Sequence, residues 1–190
     1  MKKVKSNLWV LRSLFHTLYI NFKCLPLKQA FKLPIFLYRP RIVSCSGKIT
    51  ILGGVKTGMI KLGHSTPSIY PNGGISIDNR GTIEFRGRCD IGSNSYISTG
   101  KTGKVSFGAH FTATNSLKIA CYSNLDFGNK VLCGWECMFV DTDFHQLTFD
   151  EGMPSPKAFG SIKIGSECWF GFKLLLSDKN SMSYFWLCNS

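Results

Sequence analysis

Acidic residues are missing from the start of this chain. Residues 1–77 contain no Asp or Glu against twelve Lys or Arg, whereas residues 78–190 contain eleven acids and eleven bases, so the net charge of +12 belongs to the first part alone. Such a surplus either attracts an anionic partner, an anionic membrane met by residues 1–41 or a phosphorylated substrate, or forms a solvated basic face. Nucleic acid is not a predicted partner, because the bases come singly between apolar residues and no recognised binding module is visible.

Long apolar runs are missing as well. The stretch from Leu8 to Phe22 is too short to span a bilayer and is interrupted by Arg12 and His16. The start has neither the clean apolar core nor the small-residue cleavage site of a secretory signal. The eight cysteines are therefore read as thiols of the reducing cytoplasm, with the chain at most peripheral at the inner membrane face. Cys133 and Cys137 are the only close pair and no matching Cys or His pair follows, so no metal site is predicted. Long runs of Ala, Glu or Gln are absent too. Nineteen glycines with frequent Ile, Val and Phe, in a chain 44% hydrophobic, predict one mostly β domain with a real interior.

What is present begins with Leu8, Leu11, Phe15, Leu18 and Phe22, whose three- and four-residue steps predict an amphipathic helix over 7–22 ending near Pro26. It is either a membrane-interface or partner-binding helix, or a cap on the end of the main domain. Pro34 and Pro40 make 33–41 an extended connector. From about residue 47 a step of six takes over: Ile77, Ile83 and Cys89; Ile91 and Ile97; Val105, Phe111 and Leu117; Ile119, Leu125, Val131 and Cys137; then Ile164, Phe170 and Leu176. That period fits neither an amphipathic helix nor an endless two-residue alternation. It fits a triangular coil with one strand per side, large apolar residues inside and small ones such as Gly81, Gly87 and Ser95 at the corners. Cys89, Cys137 and Cys168 fall in interior or corner registers and read as small hydrophobes.

In this pattern the sequence resembles the hexapeptide-repeat transferases over roughly residues 49–176. The resemblance implies a left-handed parallel β-helix, about seven coils at roughly eighteen residues each, and a homotrimer with its active sites between subunits. The fold class expected is thus all-β, a left-handed parallel β-helix with a short N-terminal helix. Its domains would be a basic helix and connector over 1–46, the β-helix over 47–176 with a projecting loop at 138–161, and an aberrant tail over 177–190.

One stretch leaves the repeat. In Asp141-Thr142-Asp143-Phe144-His145 a two-residue alternation puts Asp141, Asp143 and His145 on one face, where a carboxylate can hold one imidazole nitrogen and leave the other free to take a proton. The string DTDFH, followed by a loop and then by Ile164-Gly165 and Cys168-Trp169-Phe170-Gly171, is similar to the O-acetyltransferase branch of the family, with Phe170 where Ile is usual. The resemblance implies direct acetyl transfer from acetyl-CoA to a sugar or envelope-saccharide hydroxyl. His145 would be general base and Asp143 its orienting partner, with Asp141 second. Asp141, Trp135 and Glu136 are candidates for holding the acceptor. Trp169, Gly171 and Phe172 match the stretch along the pantetheine arm, although Trp169 reads equally as packing. A zinc hydrase would need three converging His, and His64, His110 and His145 stand 46 and 35 residues apart. After Leu176 the six-step stops and the tail ends in an aromatic cluster, so the expectation is a truncated chain of reduced activity; the alternative is a non-catalytic remnant serving as scaffold or binding protein.

Overall fold

The computed structural model describes residues 2–64, 73–142, 160–177 and 186–188, with side chains over 10–64, 73–142 and 160–176. It opens with helix α1 (Lys2–Cys24) and the single turn α2 (Leu27–Ala30). Strands then wind round three faces. The coils are β1 (Ile35–Leu37), β2 (Pro40–Cys45) and β3 (Lys48–Ile51); β4 (Ile60–His64), β5 (Ile75–Asn79) and β6 (Thr82–Phe85); β7 (Cys89–Gly92), β8 (Ser95–Thr99) and β9 (Lys104–Phe107); β10 (Phe111–Asn115), β11 (Lys118–Cys121) and β12 (Asn124–Phe127); β13 (Leu132–Trp135), β14 (Met138–Val140) and β15 (Ser161–Ile164); and the partial coil β16 (Cys168–Phe170) and β17 (Leu175–Ser177). A last strand, β18 (Trp186–Cys188), pairs antiparallel with β16. Every other pairing is parallel, between strands three apart in sequence order, which makes three stacked parallel sheets. This is the all-β parallel helix that the six-step predicts, of the left-handed type that the resemblance implies, with its N-terminal helix.

The six-step residues point inward as expected: Ile83, Ile97 and Leu125 are 2%, 1% and 0% exposed, and of the whole series only Leu176 is half-buried. Each third-face strand also buries a second residue two places on, because side chains alternate and a straight strand sends i and i+2 to the same side. In β6, β9 and β12 that residue is Phe. Phe85, Phe107 and Phe127 stack with centroids 5.4 and 5.6 Å apart and interplanar angles of 13° and 2°, and Phe111 and Phe139 meet the stack edge-on. Full burial of each ring contributes about 1.5–3 kcal/mol. A cylinder this narrow can hold such rings only if they stack along its axis, so coil spacing and ring packing reinforce each other.

Three expectations need correction. Ile75 pairs with Ser95, Tyr96 with Lys118 and Lys118 with Met138, steps of 20, 22 and 20 residues instead of eighteen, because the corners take extra residues. Among the described residues there are consequently five full coils and a partial sixth, not about seven. The connector at 33–41 is extended, but as β1 and the start of β2, so the β-helix begins at Ile35 rather than at 47. The tail over 177–190, expected to fall outside the repeat as an aberrant segment, supplies β18 to the edge of β16.

The N-terminal helix caps the first coil with its polar side. The Ile35, Leu37 and Arg39 amides of the free strand edge donate to Asn21 Oδ1, Thr17 Oγ1 and Ser13 Oγ at 3.2, 3.0 and 2.9 Å, and Asn21 Nδ2 returns a bond to the Ile35 carbonyl at 2.7 Å. Four helical residues rise about 6.0 Å and two strand residues about 6.6 Å, so side chains at four-residue steps match alternate amides of a strand. Gln29 Nε2 of α2 donates similarly to the Ile51 carbonyl of β3. Leu11, Phe15, Leu18 and Phe22, the apolar side of the predicted helix, face outward.

Asn21→Ala leaves a buried amide and a buried carbonyl of Ile35 without partners, which costs about 2–4 kcal/mol. The expected outcome in urea unfolding is a loss of that size for Asn21→Ala and less than about 1 kcal/mol for Phe22→Ala, one position away on the exposed face.

Candidate functional site

The fifth coil carries the departure from the repeat, so its corners decide the site. At the corner between second and third faces, one residue per coil turns inward: Asn79, Thr99, Cys121 and Asp141, all buried. Each fastens the corner of the coil before it. Thr99 Oγ1 accepts from the Arg80 and Gly81 amides at 3.1 and 3.0 Å and donates to Asn79 Oδ1 at 2.8 Å. One level on, Asp141 accepts from the Tyr122 and Ser123 amides at 2.6 and 2.7 Å and from the Cys121 thiol at 3.2 Å. Burial, then the neighbouring Asp141 charge, push the Cys121 thiol well above its ordinary range, so it stays protonated and donates. Asp141 is 0% exposed. Its oxygens serve the coil, and its placement offers no support for a role in holding an acceptor.

From that fastened corner the chain leaves the β-helix after Thr142 and rejoins it at Gly160, whose amide donates to the Asp141 carbonyl at 3.0 Å. The excursion is therefore narrower than the predicted 138–161: Met138–Val140 and Ser161–Ile164 are regular strands. Asp143 and His145 lie outside the described residues.

The corner between first and second faces gathers the other candidates. Asn94, Ser116, Glu136 and Lys173 occupy it on successive coils, each left-handed with φ of 59°, 56°, 58° and 56°. Such backbone costs a side-chain-bearing residue about 1–3 kcal/mol, offset here by stacking and by the bond from Asn94 Nδ2 to Ser116 Oγ at 2.8 Å. Gly134 lets the last two coils close up, since a Cβ there would sit 2.5 Å from the Gly171 carbonyl oxygen. Trp135 flanks this corner, and Gly171 and Phe172 flank it one coil on, whereas Trp169 lies in register with Leu132 at the other end of β13. Trp169 and Phe172 are 53% and 56% exposed, and the Lys173 ammonium lies 5.2 Å from the Phe172 ring centre. Beside them a groove of about 280 Å³ is lined by Glu136, Lys118, Lys173, Met138 and Leu175.

The structure thus brings Trp135, Glu136, Gly171 and Phe172 to one edge, leaves Trp169 three residues back along the first face, and keeps Asp141 across the width of the second face, joined to the corner by β14. Lys118 and Lys173 were missed. Lys118 precedes buried Ile119 and so falls in the outward register, which was legible; the corner position of Lys173 depends on the irregular left-handed turn and was not. His64 and His110 sit at opposite ends of the first face and do not converge: His64 closes β4, and His110 precedes Phe111. A larger hollow, about 720 Å³, lies on the first face of the early coils between Phe36, Tyr38, Lys56, Lys61 and Arg88, away from the fifth coil.

Comparison with known proteins gives little beyond the fold. No family model and no solved structure matches the chain. An uncharacterized 24.8 kDa protein in a cps region of Klebsiella pneumoniae is 25% identical over 92 residues, covering 48% of this chain and 40% of that protein. The chain thus matches less than half the length of that relative. Fold and relative together are compatible with a saccharide-related enzyme.

Asp141→Asn keeps the volume but turns an NH₂ toward amide donors. Hydrogen bonds to a charged group contribute about 1.5–3 kcal/mol, so urea unfolding is expected to show a loss in that range, together with faster proteolysis between 142 and 160.

Proposed function

We propose that this protein is an O-acetyltransferase that moves the acetyl group of acetyl-CoA to a hydroxyl of a sugar or envelope saccharide. The observation that carries the reading is the bond from the Gly160 amide to the Asp141 carbonyl, which joins the two ends of the sequence segment that contains Asp143 and His145. Thr142 ends the described stretch, and chain length alone tethers His145 within about 11 Å of it. Resemblance to the hexapeptide-repeat acyltransferases supports the assignment of roles, and the cps-region relative supports a saccharide as acceptor.

In the proposed reaction the acceptor hydroxyl attacks the thioester carbonyl while His145 takes its proton, Asp143 holding the imidazole in the required tautomer. Backbone amides stabilise the tetrahedral oxyanion. The C–S bond breaks, the thiolate of coenzyme A leaves, and the proton on His145 returns to it. No acyl-enzyme forms, and the buried, protonated Cys89, Cys121 and Cys133 suit a mechanism without a cysteine nucleophile. Trp169, Gly171 and Phe172 lie along the pantetheine arm, and Glu136 with Trp135 faces the acceptor. Exposed Leu132, Trp169, Met138 and Leu175 on the last coils favour a homotrimer whose neighbouring subunits cover them.

Acetyl-CoA with a panel of mono- and oligosaccharides, read by release of free thiol, tests the proposal. Transfer is expected with the unaltered chain, a loss of about 10²–10⁴ in His145→Ala and a smaller loss in Asp143→Asn. Trp169→Ala is expected to raise KM for acetyl-CoA more than it lowers kcat. A chain that sediments as an assembled trimer and releases no thiol with any acceptor is instead a scaffold.

A further inference from the structure

The outward face of α1 is a feature of the surface that the transfer reaction does not use. Burying the polar side chains Ser13, Thr17 and Asn21 against β1 turns the whole apolar stripe to solvent: Phe15 is 65% exposed, and Leu11, Leu18 and Phe22 lie beside it. Phe31, at the end of α2 and 74% exposed, meets Phe22 edge-on at 5.4 Å and extends the patch beyond the helix. A helix in a domain normally buries such a stripe and exposes the polar one. Here both sides have a task only if something outside the chain covers the apolar side.

Charge indicates what covers it. Arg12 and Lys23 flank the stripe on the helix, Lys28 and Lys32 follow in and after α2, and all four are exposed. The first-face groove beside the helix adds Lys56 and Lys61 next to Phe36 and Tyr38, and among the described residues no carboxylate forms an ion pair with either lysine. No acid occurs anywhere in residues 1–77 to oppose these cations. A second protein would be expected to meet a mixed rim, and a second copy of this face would set like charges against each other. An apolar aromatic stripe bordered by cations alone fits the interface of a bilayer rich in anionic lipid, where rings and leucines enter the acyl boundary and ammonium groups meet phosphates. Among the described residues no helix is long and apolar enough to cross a membrane, so α1 would lie in the interface.

We propose that α1 and α2 form an anionic-membrane docking surface that lays the β-helix against the bilayer through Leu11, Phe15, Leu18, Phe22 and Phe31. The docked chain keeps its first coil capped, since capping and docking use opposite sides of one helix. The proposal does not depend on acetyl transfer.

Vesicle flotation with the full-length chain tests it, using phosphatidylcholine alone and phosphatidylcholine with about one third phosphatidylglycerol. Binding is expected only to the anionic vesicles and is released by salt. Leu11→Glu with Phe15→Glu is expected to lower partitioning at least about tenfold, and Lys23→Gln and Lys28→Gln about fivefold each, with circular dichroism and thermal unfolding unchanged. Phe15→Leu retains binding. No partitioning to anionic vesicles, or partitioning that the Glu pair leaves unaltered in a folded chain, overturns the proposal. So does a dimer that the Glu pair dissolves while vesicles bind nothing.

Discussion

A parallel β-helix is a stack of hydrogen-bonded edges, and the constraint behind everything else in this molecule is that the stack has to begin somewhere. Each strand satisfies its amides and carbonyls on the coils before and after it; the first strand has only one neighbour. Here the missing neighbour is a helix. Ser13, Thr17 and Asn21 come at the helical step that tracks alternate amides of β1, so they act as the acceptors a preceding strand would have presented. Leaving those amides buried and unpaired would cost about 1–3 kcal/mol each, comparable with full burial of a Phe or Leu side chain. The helix therefore turns its polar side in, and its apolar side is left to face outward.

The same accounting recurs inside the coil. Corners are where backbone groups lose their ladder partners, and the column Asn79, Thr99, Cys121, Asp141 gives each corner a side-chain partner from the following coil: Thr99 and Asp141 accept from amides, while Asn79 and Cys121 donate to the Lys48 and Lys104 carbonyls. Asp141 is the strongest of these because it is charged, and it stands where the chain leaves the repeat. A long excursion can be carried without loosening the coil when its two ends are held together and the corner beneath is fastened; Asp141 does both, through its carboxylate and its carbonyl. On the other edge of the second face, stacked left-handed residues and the Gly134–Gly171 contact bring the last two coils close, with Trp135, Glu136 and Phe172 along one edge.

Much of this was legible in the sequence. The six-residue step located the interior, since residues such as Ile83, Ile97 and Leu125 are dictated by a period that only a three-sided coil satisfies. The second interior residue of the third-face strands was equally present, two places after the first, but the six-step alone does not ask for it. Coil number was overestimated because corner insertions are set by turn geometry, which leaves no period behind. The orientation of α1 was left open between a membrane-interface helix and a cap because amphipathic patterning carries no information about amides waiting on a neighbouring strand. For the site, Trp135, Glu136 and Phe172 lie at one corner and Trp169 lies further back on the first face, whereas Asp141, grouped with the catalytic carboxylates by alternation, is buried and bonded to the coil. Asp143 and His145 rest on the motif.

Hydrogen–deuterium exchange resolved at single amides tests the central claim most directly, because that claim concerns three of them. With polar capping by α1, the Ile35, Leu37 and Arg39 amides are expected to exchange as slowly as the Ile60 and Cys89 amides of the inner coils, even though β1 is the first strand of its sheet. Exchange of these three at the rate of an open strand edge, while Ile60 and Cys89 stay protected, would contradict the account and leave α1 without the anchor that turns its apolar side outward.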